Sequence, residues 1–295
     1  MKRIAVLHES PKPTWTSKRL LEAARRRGCK PLYLQPSMIS AVVGDGVVYH
    51  GRRLEVDAVI VRSIGRFLSL EVFLRRMGLL AQLEEIGVVV VNPYEALMKT
   101  RDKYMSIMLL RKAGVPVPET LVTEDPAEAL RYAERWGDVV IKPLTGSLGL
   151  GSFRATSADQ VYRVVMMIRS LGQPIYMQRF VEKKGNRDIR VFVVDGEPVA
   201  AIYRVAPPGS WKTNIARGAT PIPLNDPGEA GELAVKATRA LGLLYSGVDV
   251  AETGDGGYVV FEVNASPLWR GLYEATGVDP AEQIIGLVLD LLKRG

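Results

Sequence analysis

Asp249, in Gly247-Val248-Asp249-Val250, and Glu262 with Asn264, in Val259-Val260-Phe261-Glu262-Val263-Asn264, carry the first chemical signal in this chain. Each stretch sets polar residues inside an otherwise apolar strand. Glu262 and Asn264 are two apart, so on a strand they project from one face. If Gly254-Asp255-Gly256-Gly257 joins the two strands as a hairpin, Asp249 comes close to both. Two carboxylates and an amide oxygen on one face are hard ligands suited to Mg2+, completed by water and phosphate. A solvent-facing polar edge strand would give the same pair; the flanking apolar residues and the third member argue against it.

Lys142 closes the apolar run Val139-Val140-Ile141 and leads through Pro143-Leu144-Thr145 into Gly146-Ser147-Leu148-Gly149-Leu150-Gly151. Exposed backbone N–H groups in such a turn form an anion nest, and the lysine adds a point charge. No Gly-Lys-Ser/Thr follows, so this is not a Walker A loop. No long helix follows Gly151 directly either, so it is not a dinucleotide fingerprint. A plain hairpin turn remains the competing account. Asp188 and Arg190 open a strand, where the carboxylate could accept from ribose hydroxyls and the guanidinium could face phosphate. A cross-strand ion pair explains those two residues equally well. Trp211-Lys212-Thr213-Asn214-Ile215-Ala216-Arg217-Gly218 is a polar loop after Arg204, suited to a lid that neutralises a phosphoryl group.

The composition narrows the remaining chemistry. Two histidines, His8 and His50, leave almost no material for a Ser/His/Asp triad or a histidine zinc site. One cysteine, Cys29, excludes an internal disulfide framework and a cysteine metal cluster. Lys and Arg number 39 against 32 Asp and Glu, a net charge of +7, which points to an acidic partner. No basic stripe interleaved with aromatics is present, so nucleic acid is not expected. Arg25-Arg26-Arg27 reads as a solvated helix end. No apolar run is long enough to span a bilayer, and the opening Met1 to Leu7 reads as a buried strand rather than a signal peptide. No membrane role and a cytoplasmic location are the expectations.

The elements that must position these groups fall into three regions. Residues 1–98 alternate strand and helix: strands near Arg3, Lys30, Ala58 and Val88, helices over Lys18 to Arg27 and Phe67 to Ile86, and a hairpin around Gly44-Asp45-Gly46. That alternation predicts a small parallel α/β sheet. Residues 99–174 hold helices over Lys103 to Lys112, Ala127 to Trp136 and Ala158 to Leu171 around the lysine strand and glycine turn. Residues 175–295 are strand-rich and close on an amphipathic helix from Pro280.

In order, these pieces resemble the ATP-grasp superfamily, and within it the RimK-like α-L-glutamate ligases. The matching run is Thr100-Arg101-Asp102-Lys103, Ala113-Gly114-Val115-Pro116-Val117-Pro118, Val140-Ile141-Lys142-Pro143 with Gly146-Ser147, and Gln178-Arg179-Phe180-Val181. It continues through Asp188-Ile189-Arg190, Asn214 to Gly218 and Glu262-Val263-Asn264-Ala265-Ser266-Pro267. The resemblance implies an α/β and α+β ATP-grasp fold, with a parallel N-terminal domain and two α+β subdomains clasping ATP. It implies Lys103 and Lys142 on the nucleotide phosphates, and Arg179 to Val181 as a hinge whose backbone meets adenine. Asp188 would bind ribose, and Ser147, Gln178, Lys212, Thr213 and Asn214 would complete the nucleotide site. Asp249, Glu262 and Asn264 would hold Mg2+, or Mn2+ in its place. Lys142, Arg190 and Arg217 would stabilise the transferred phosphoryl group and an acyl phosphate.

The implied reaction joins a carboxylate to an amine at the expense of ATP, with L-glutamate or another amino acid as donor and a carboxylated acceptor. The tail Ser266 to Leu272 and Ala275-Thr276-Gly277-Val278-Asp279 look closest to archaeal members that glutamylate a pterin- or deazaflavin-type coenzyme. Ligases of lysine or arginine biosynthesis with a carrier protein, and ribosomal-protein glutamate ligases, remain alternatives; a kinase is a more distant one. Relatives are often dimers or tetramers, which leaves room for a homo-oligomer. Two departures stand out. Arg179 occupies a position where many relatives carry Glu, and Asn186 stands where a glycine often precedes the ribose aspartate.

Overall fold

A computed structural model describes residues 1–66, 68–146 and 149–294. β1 (Arg3–Leu7) is followed by α1 (Trp15–Arg26) and β2 (Lys30–Leu34). β3 (Ile39–Val42), β4 (Gly46–Tyr49) and β5 (Arg52–Arg53) make a small antiparallel sheet around the Gly44-Asp45-Gly46 turn. β6 (Ala58–Val61), α2 (Leu70–Glu85) and β7 (Val89–Val91) complete a parallel sheet of order β2-β1-β6-β7. Ile4, Ala5, Val6 and Leu7 are all buried, as expected for a parallel strand covered on both faces. α2 starts where the Ser69 hydroxyl accepts from the Val72 N–H, three residues after the expected start at Phe67, which lies outside the described residues. The Arg25-Arg26-Arg27 run does more than meet solvent. Arg26 and Arg27 pair with Glu282 of the closing helix.

α3 (Tyr94–Arg101) and α4 (Lys103–Lys112) lead into a second sheet. It is built from β8 (Thr120–Thr123), α5 (Pro126–Trp136), β9 (Val139–Lys142), β10 (Phe153–Ala155), α6 (Ala158–Ser170) and β11 (Ile175–Arg179), in strand order β10-β9-β11-β8. β11, first strand of the third region in the sequence, pairs here with β8 and β9. Its inward residues Ile175 and Met177 join Val139, Ile141 and the α5–α6 face in one core.

The third sheet has order β14-β13-β12-β15-β16. It comprises β12 (Arg187–Val194), β13 (Glu197–Val205), β14 (Thr220–Leu224), β15 (Tyr245–Glu252) and β16 (Tyr258–Asn264), with α7 (Gly228–Ala240) after β14. β14, Thr-Pro-Ile-Pro-Leu, is not legible from β propensity, because Pro221 and Pro223 remove two donors. It forms at the sheet edge, where such residues are tolerated. At the opposite edge the Pro116 carbonyl accepts from the Val260 N–H at 2.8 Å. α8 (Arg270–Thr276) packs on β13 and β14, and α9 (Pro280–Arg294) packs on α1 and lies against β7 and β12. One core unites Leu20, Ile60, Phe192, Tyr245, Trp269 and Ile284, so the first and third sheets share an interior.

Candidate functional site

The β15–β16 ladder sets Asp249 directly opposite Glu262 and Gly247 opposite Asn264, so the three expected metal ligands share one face. A register shift follows Asp249, and Phe261 and Glu262, consecutive in sequence, both line the cavity above the ladder. Arg190 on β12 is the cross-strand neighbour of Asp249, and Asp188 that of Arg204 on β13.

These pairings produce an alternating chain of charge. Arg190 Nε donates to Asp249 Oδ1 at 2.5 Å, and an Arg204 nitrogen lies 3.1 Å from Asp249 Oδ2. Arg204 also forks onto both oxygens of Asp188, at 2.7 and 2.8 Å. The Thr213 hydroxyl donates to the same carboxylate. Burial works against the Asp249 charge, yet Arg190 and Arg204 together hold its carboxyl below the usual range. Burial alone would lower the Arg204 pKa; Asp188 and Asp249 more than reverse that, and it stays charged. The cross-strand ion pair is thus what Asp188 and Arg190 each make, with different partners.

Glu262 differs. Among the described residues it has no hydrogen bond and no ion pair, and it faces lysines contributed by the second sheet and α4. Lys142 Nζ donates to Gln178 Oε1 at 2.6 Å. Gln178 is buried, and its amide donates to Thr120 Oγ1 and Tyr176 Oη, both at 3.0 Å. That fixed amide holds the lysine head in place. Lys103 Nζ donates to the Gly146 carbonyl at 2.9 Å. Burial pushes the Lys142 pKa down to about 8, with Lys103 and Lys183 adding to the fall while Glu262 and Asp249 oppose it. Burial also lowers Lys103 and Lys183. None of the three forms an ion pair among the described residues, which leaves a positive hollow beside one free carboxylate.

The hinge and the lid loop close the sides. The Arg179 N–H donates to the Glu119 carbonyl and its side chain pairs with Glu119 at 2.9 Å, while the Phe180 N–H donates to the Asp138 carbonyl. The Arg154 guanidinium lies 3.7 Å from the centre of the Phe180 ring, and Trp211 meets that ring edge-on. Lys212 Nζ donates to the Gly149 and Ser152 carbonyls, tying the lid loop of the third sheet to the glycine turn of the second. Lys183 Nζ donates to the Trp211 carbonyl and Thr213 Oγ1. Gly149 has φ +64, and a Cβ there would sit 2.5 Å from the Asn214 Oδ1, so only glycine permits this approach.

Of the residues expected at the site, Lys103, Lys142, Gln178, Arg179, Phe180 and Val181 line the cavity, as do Asp188, Lys212, Thr213, Asn214, Asp249 and Glu262. Arg190, Asn264 and Arg217 are not among its lining residues. Arg190 turns to Asp249, and the Asn264 amide nitrogen donates to the Gly247 carbonyl at 3.3 Å. Arg217 stands exposed on a 3-10 turn at the end of the lid loop. Ser147 lies outside the described residues. The sequence reading gave no role to Tyr176, Lys183, Arg204 or Phe261, which also line the cavity. Arg204 had a signal of its own: a charged residue in an apolar strand, as Asp249 is.

Comparison with known proteins decides the family. A RimK-like ATP-grasp domain matches residues 100–288, and a RimK pre-ATP-grasp domain matches residues 1–97. The chain belongs to the RimK-like ATP-grasp family. As a member of that family it is an ATP-dependent ligase with the ATP-grasp fold. It is 33% identical to a tetrahydromethanopterin:alpha-L-glutamate ligase of Methanosarcina acetivorans, covering 99% of this chain and 100% of the relative. It is equally 33% identical to a probable alpha-L-glutamate ligase of Thioalkalivibrio sulfidiphilus, over 97% of this chain and 95% of that one. The ATP-grasp ligase PsnB, solved with a phosphomimetic precursor variant, Mg and ADP, shares the fold at TM-score 0.76 and 24% identity, covering 98% of both chains. Among the described residues, no helix of this RimK-like chain is long and apolar enough to cross a membrane.

Proposed function

We propose that this chain is a Mg-ATP-dependent ligase that adds L-glutamate through its amine to a carboxylated small-molecule acceptor, a pterin- or deazaflavin-type coenzyme. The observation that carries the reading is the hollow in which Lys103 and Lys142 face Glu262 while Lys183 lies toward Asp188 and Asp249, the three lysines and Glu262 making no ion pair among the described residues. Three desolvated ammonium groups suit a polyphosphate. The names of the glutamate-ligating relatives support the choice of amine and acceptor.

The donor set fits a hard cation. Asp249 and Glu262 oppose each other in register. Asn264, whose amide nitrogen is tied to Gly247, has its carbonyl oxygen left over as a ligand. Each Asp249 oxygen accepts from one guanidinium and keeps a lone pair. No group of three or more His, Cys, Asp or Glu side chains among the described residues forms a metal cluster by itself, so the remaining ligands of an ion held here would be water and phosphate oxygens. Bound there, Mg2+ would neutralise charge on the transferred phosphoryl group.

The remaining work falls to the chain. Lys103 and Lys142 hold the phosphates, and Phe180 with Val181 walls the base. Asp188 accepts from ribose with the lone pairs that Arg204 and Thr213 leave free. Arg190 keeps Asp249 ionised and in place. Arg217 stabilises the phosphoryl group and the acyl phosphate once the lid loop is drawn over substrate. The acceptor carboxylate attacks the γ-phosphate with ADP leaving, and the glutamate amine then displaces phosphate to form the amide. On this reading residues 1–98 are the leading domain and residues 99–295 hold the nucleotide between two units. ADP release with Mg-ATP, glutamate and a panel of carboxylated acceptors tests the proposal. Acceptor-stimulated turnover with an amide product supports it; a stable phosphorylated product without amide rejects it.

A further inference from the structure

Arg62 is a guanidinium sealed inside the protein, 5% exposed, at the carboxyl end of β6. It does not line the cavity; its side chain bonds to the segment that leaves the metal ladder and to Tyr245 at the start of β15. One terminal nitrogen donates to the Pro267 carbonyl at 2.6 Å and, more weakly, to Ser266 at 3.4 Å. The other donates to the Tyr245 hydroxyl at 3.1 Å, and the charge lies 4.8 Å from the Trp269 ring centre. Ser266 Oγ donates in turn to the Val61 carbonyl at 2.9 Å.

Asn92, after β7, acts beside it. Its amide nitrogen donates to the Tyr245 and Ala265 carbonyls at 2.9 and 2.7 Å, and its oxygen accepts from the N–H groups of Leu244 and Tyr245. Two residues of the first sheet therefore grip the start of β15 and the end of β16 at once. The grip passes onward by contact. Pro267 packs so closely on Gly247 that a Cβ there would lie 2.6 Å from the proline Cβ, and the Gly247 carbonyl anchors Asn264.

We infer that Arg62 is a positioning residue for the metal ladder, acting through Pro267 and Gly247 on Asn264 and, along the same strands, on Asp249 and Glu262. A stabilising role alone does not account for it, because its Nε–H is buried with no hydrogen-bond partner among the described residues, a cost that an apolar side chain would avoid. β6 also borders β1, where the strand order of the first sheet reverses, the place at which open parallel sheets take their ligands. The inference rests on the metal reading above.

The test measures Mn2+ binding to the ADP complex by the electron paramagnetic resonance of free Mn2+, together with ADP affinity in EDTA and thermal melting. Arg62→Met is expected to weaken Mn2+ binding by about ten- to a hundredfold, the usual effect of removing support behind metal ligands, with metal-free ADP affinity unchanged. Arg62→Lys retains most of the affinity, since an ammonium still reaches the Pro267 carbonyl. A folded Arg62→Met protein that holds Mn2+ as tightly as wild type overturns the inference. If that variant does not fold, Arg62→Gln decides: weakened Mn2+ binding with metal-free ADP affinity unchanged supports the inference, and Mn2+ binding as tight as wild type overturns it. Wild-type protein that binds no Mn2+ with ADP overturns the metal reading itself, a separate result.

Discussion

Asp249 and Glu262 face each other across the β15–β16 ladder, but only Asp249 is neutralised by arginine. The asymmetry divides the work: one carboxylate is locked in place by the sheet, and the other is free to meet a ligand.

Glu262→Gln removes the free charge and little else. Its stability change is expected to stay within about 0.5 kcal/mol, because no bond of Glu262 is lost. Turnover should fall by about a hundredfold or more, since a metal ligand contributes several kcal/mol to charge stabilisation in the transition state. Steady-state ADP release beside a denaturant melt checks both, and unchanged turnover would reject the assignment.

Lys142, with its pKa pushed down to about 8, makes nucleotide binding pH-dependent. Phosphates favour the ammonium form, so binding raises this pKa, and above about pH 8 each binding event must take up a proton. Affinity for ATP is expected to fall as pH rises past about 8, by up to about tenfold per unit. The free protein has the opposite slope. Its unfolded chain keeps the lysine proton up to about pH 10.4, so folding stability gains between about 8 and that value. Calorimetric titration across this range checks the first slope, and Lys142→Met should flatten it.

Arg204→Met strands Asp188 and Asp249 as buried, less compensated charges. The expected loss is about 3–5 kcal/mol of unfolding free energy, read from urea titration. Arg204→Lys should recover only part of it, as an ammonium cannot fork onto two carboxylates. A loss below about 1 kcal/mol would mean these pairs behave as solvent-screened contacts.

Arg217→Ala tests the lid. The residue is exposed, so stability should hold within about 0.5 kcal/mol. Turnover should drop by about a hundredfold, the scale for losing one charge-stabilising donor, while ATP affinity changes little. Equal losses in kcat and in ATP affinity would place Arg217 in ground-state binding instead.

Much of this was legible from residue order. Period-two spacing put Glu262 and Asn264 on one face, and the hairpin glycines brought Asp249 opposite, as the register shows. What stayed hidden depended on pairing between distant strands. Nothing local says that Arg204 lies across from Asp188 and reaches Asp249, or that Gln178 turns inward to hold Lys142. β8 was missed because four half-buried residues give almost no period, and β14 because its prolines read as a loop. Nothing in the sequence sets Arg62 apart among 39 basic residues, and only the packing of the first sheet on the third exposes its contacts.

The prolines of β14 have a consequence for how copies of this chain meet. Pro221 and Pro223 sit on the outermost strand of the largest sheet, which would otherwise present a row of free N–H donors to any passing strand. With those donors deleted, a second molecule cannot extend the sheet there in register. Crowded copies are thus steered away from strand-by-strand pairing at this edge, and a contact made there must rely on side chains.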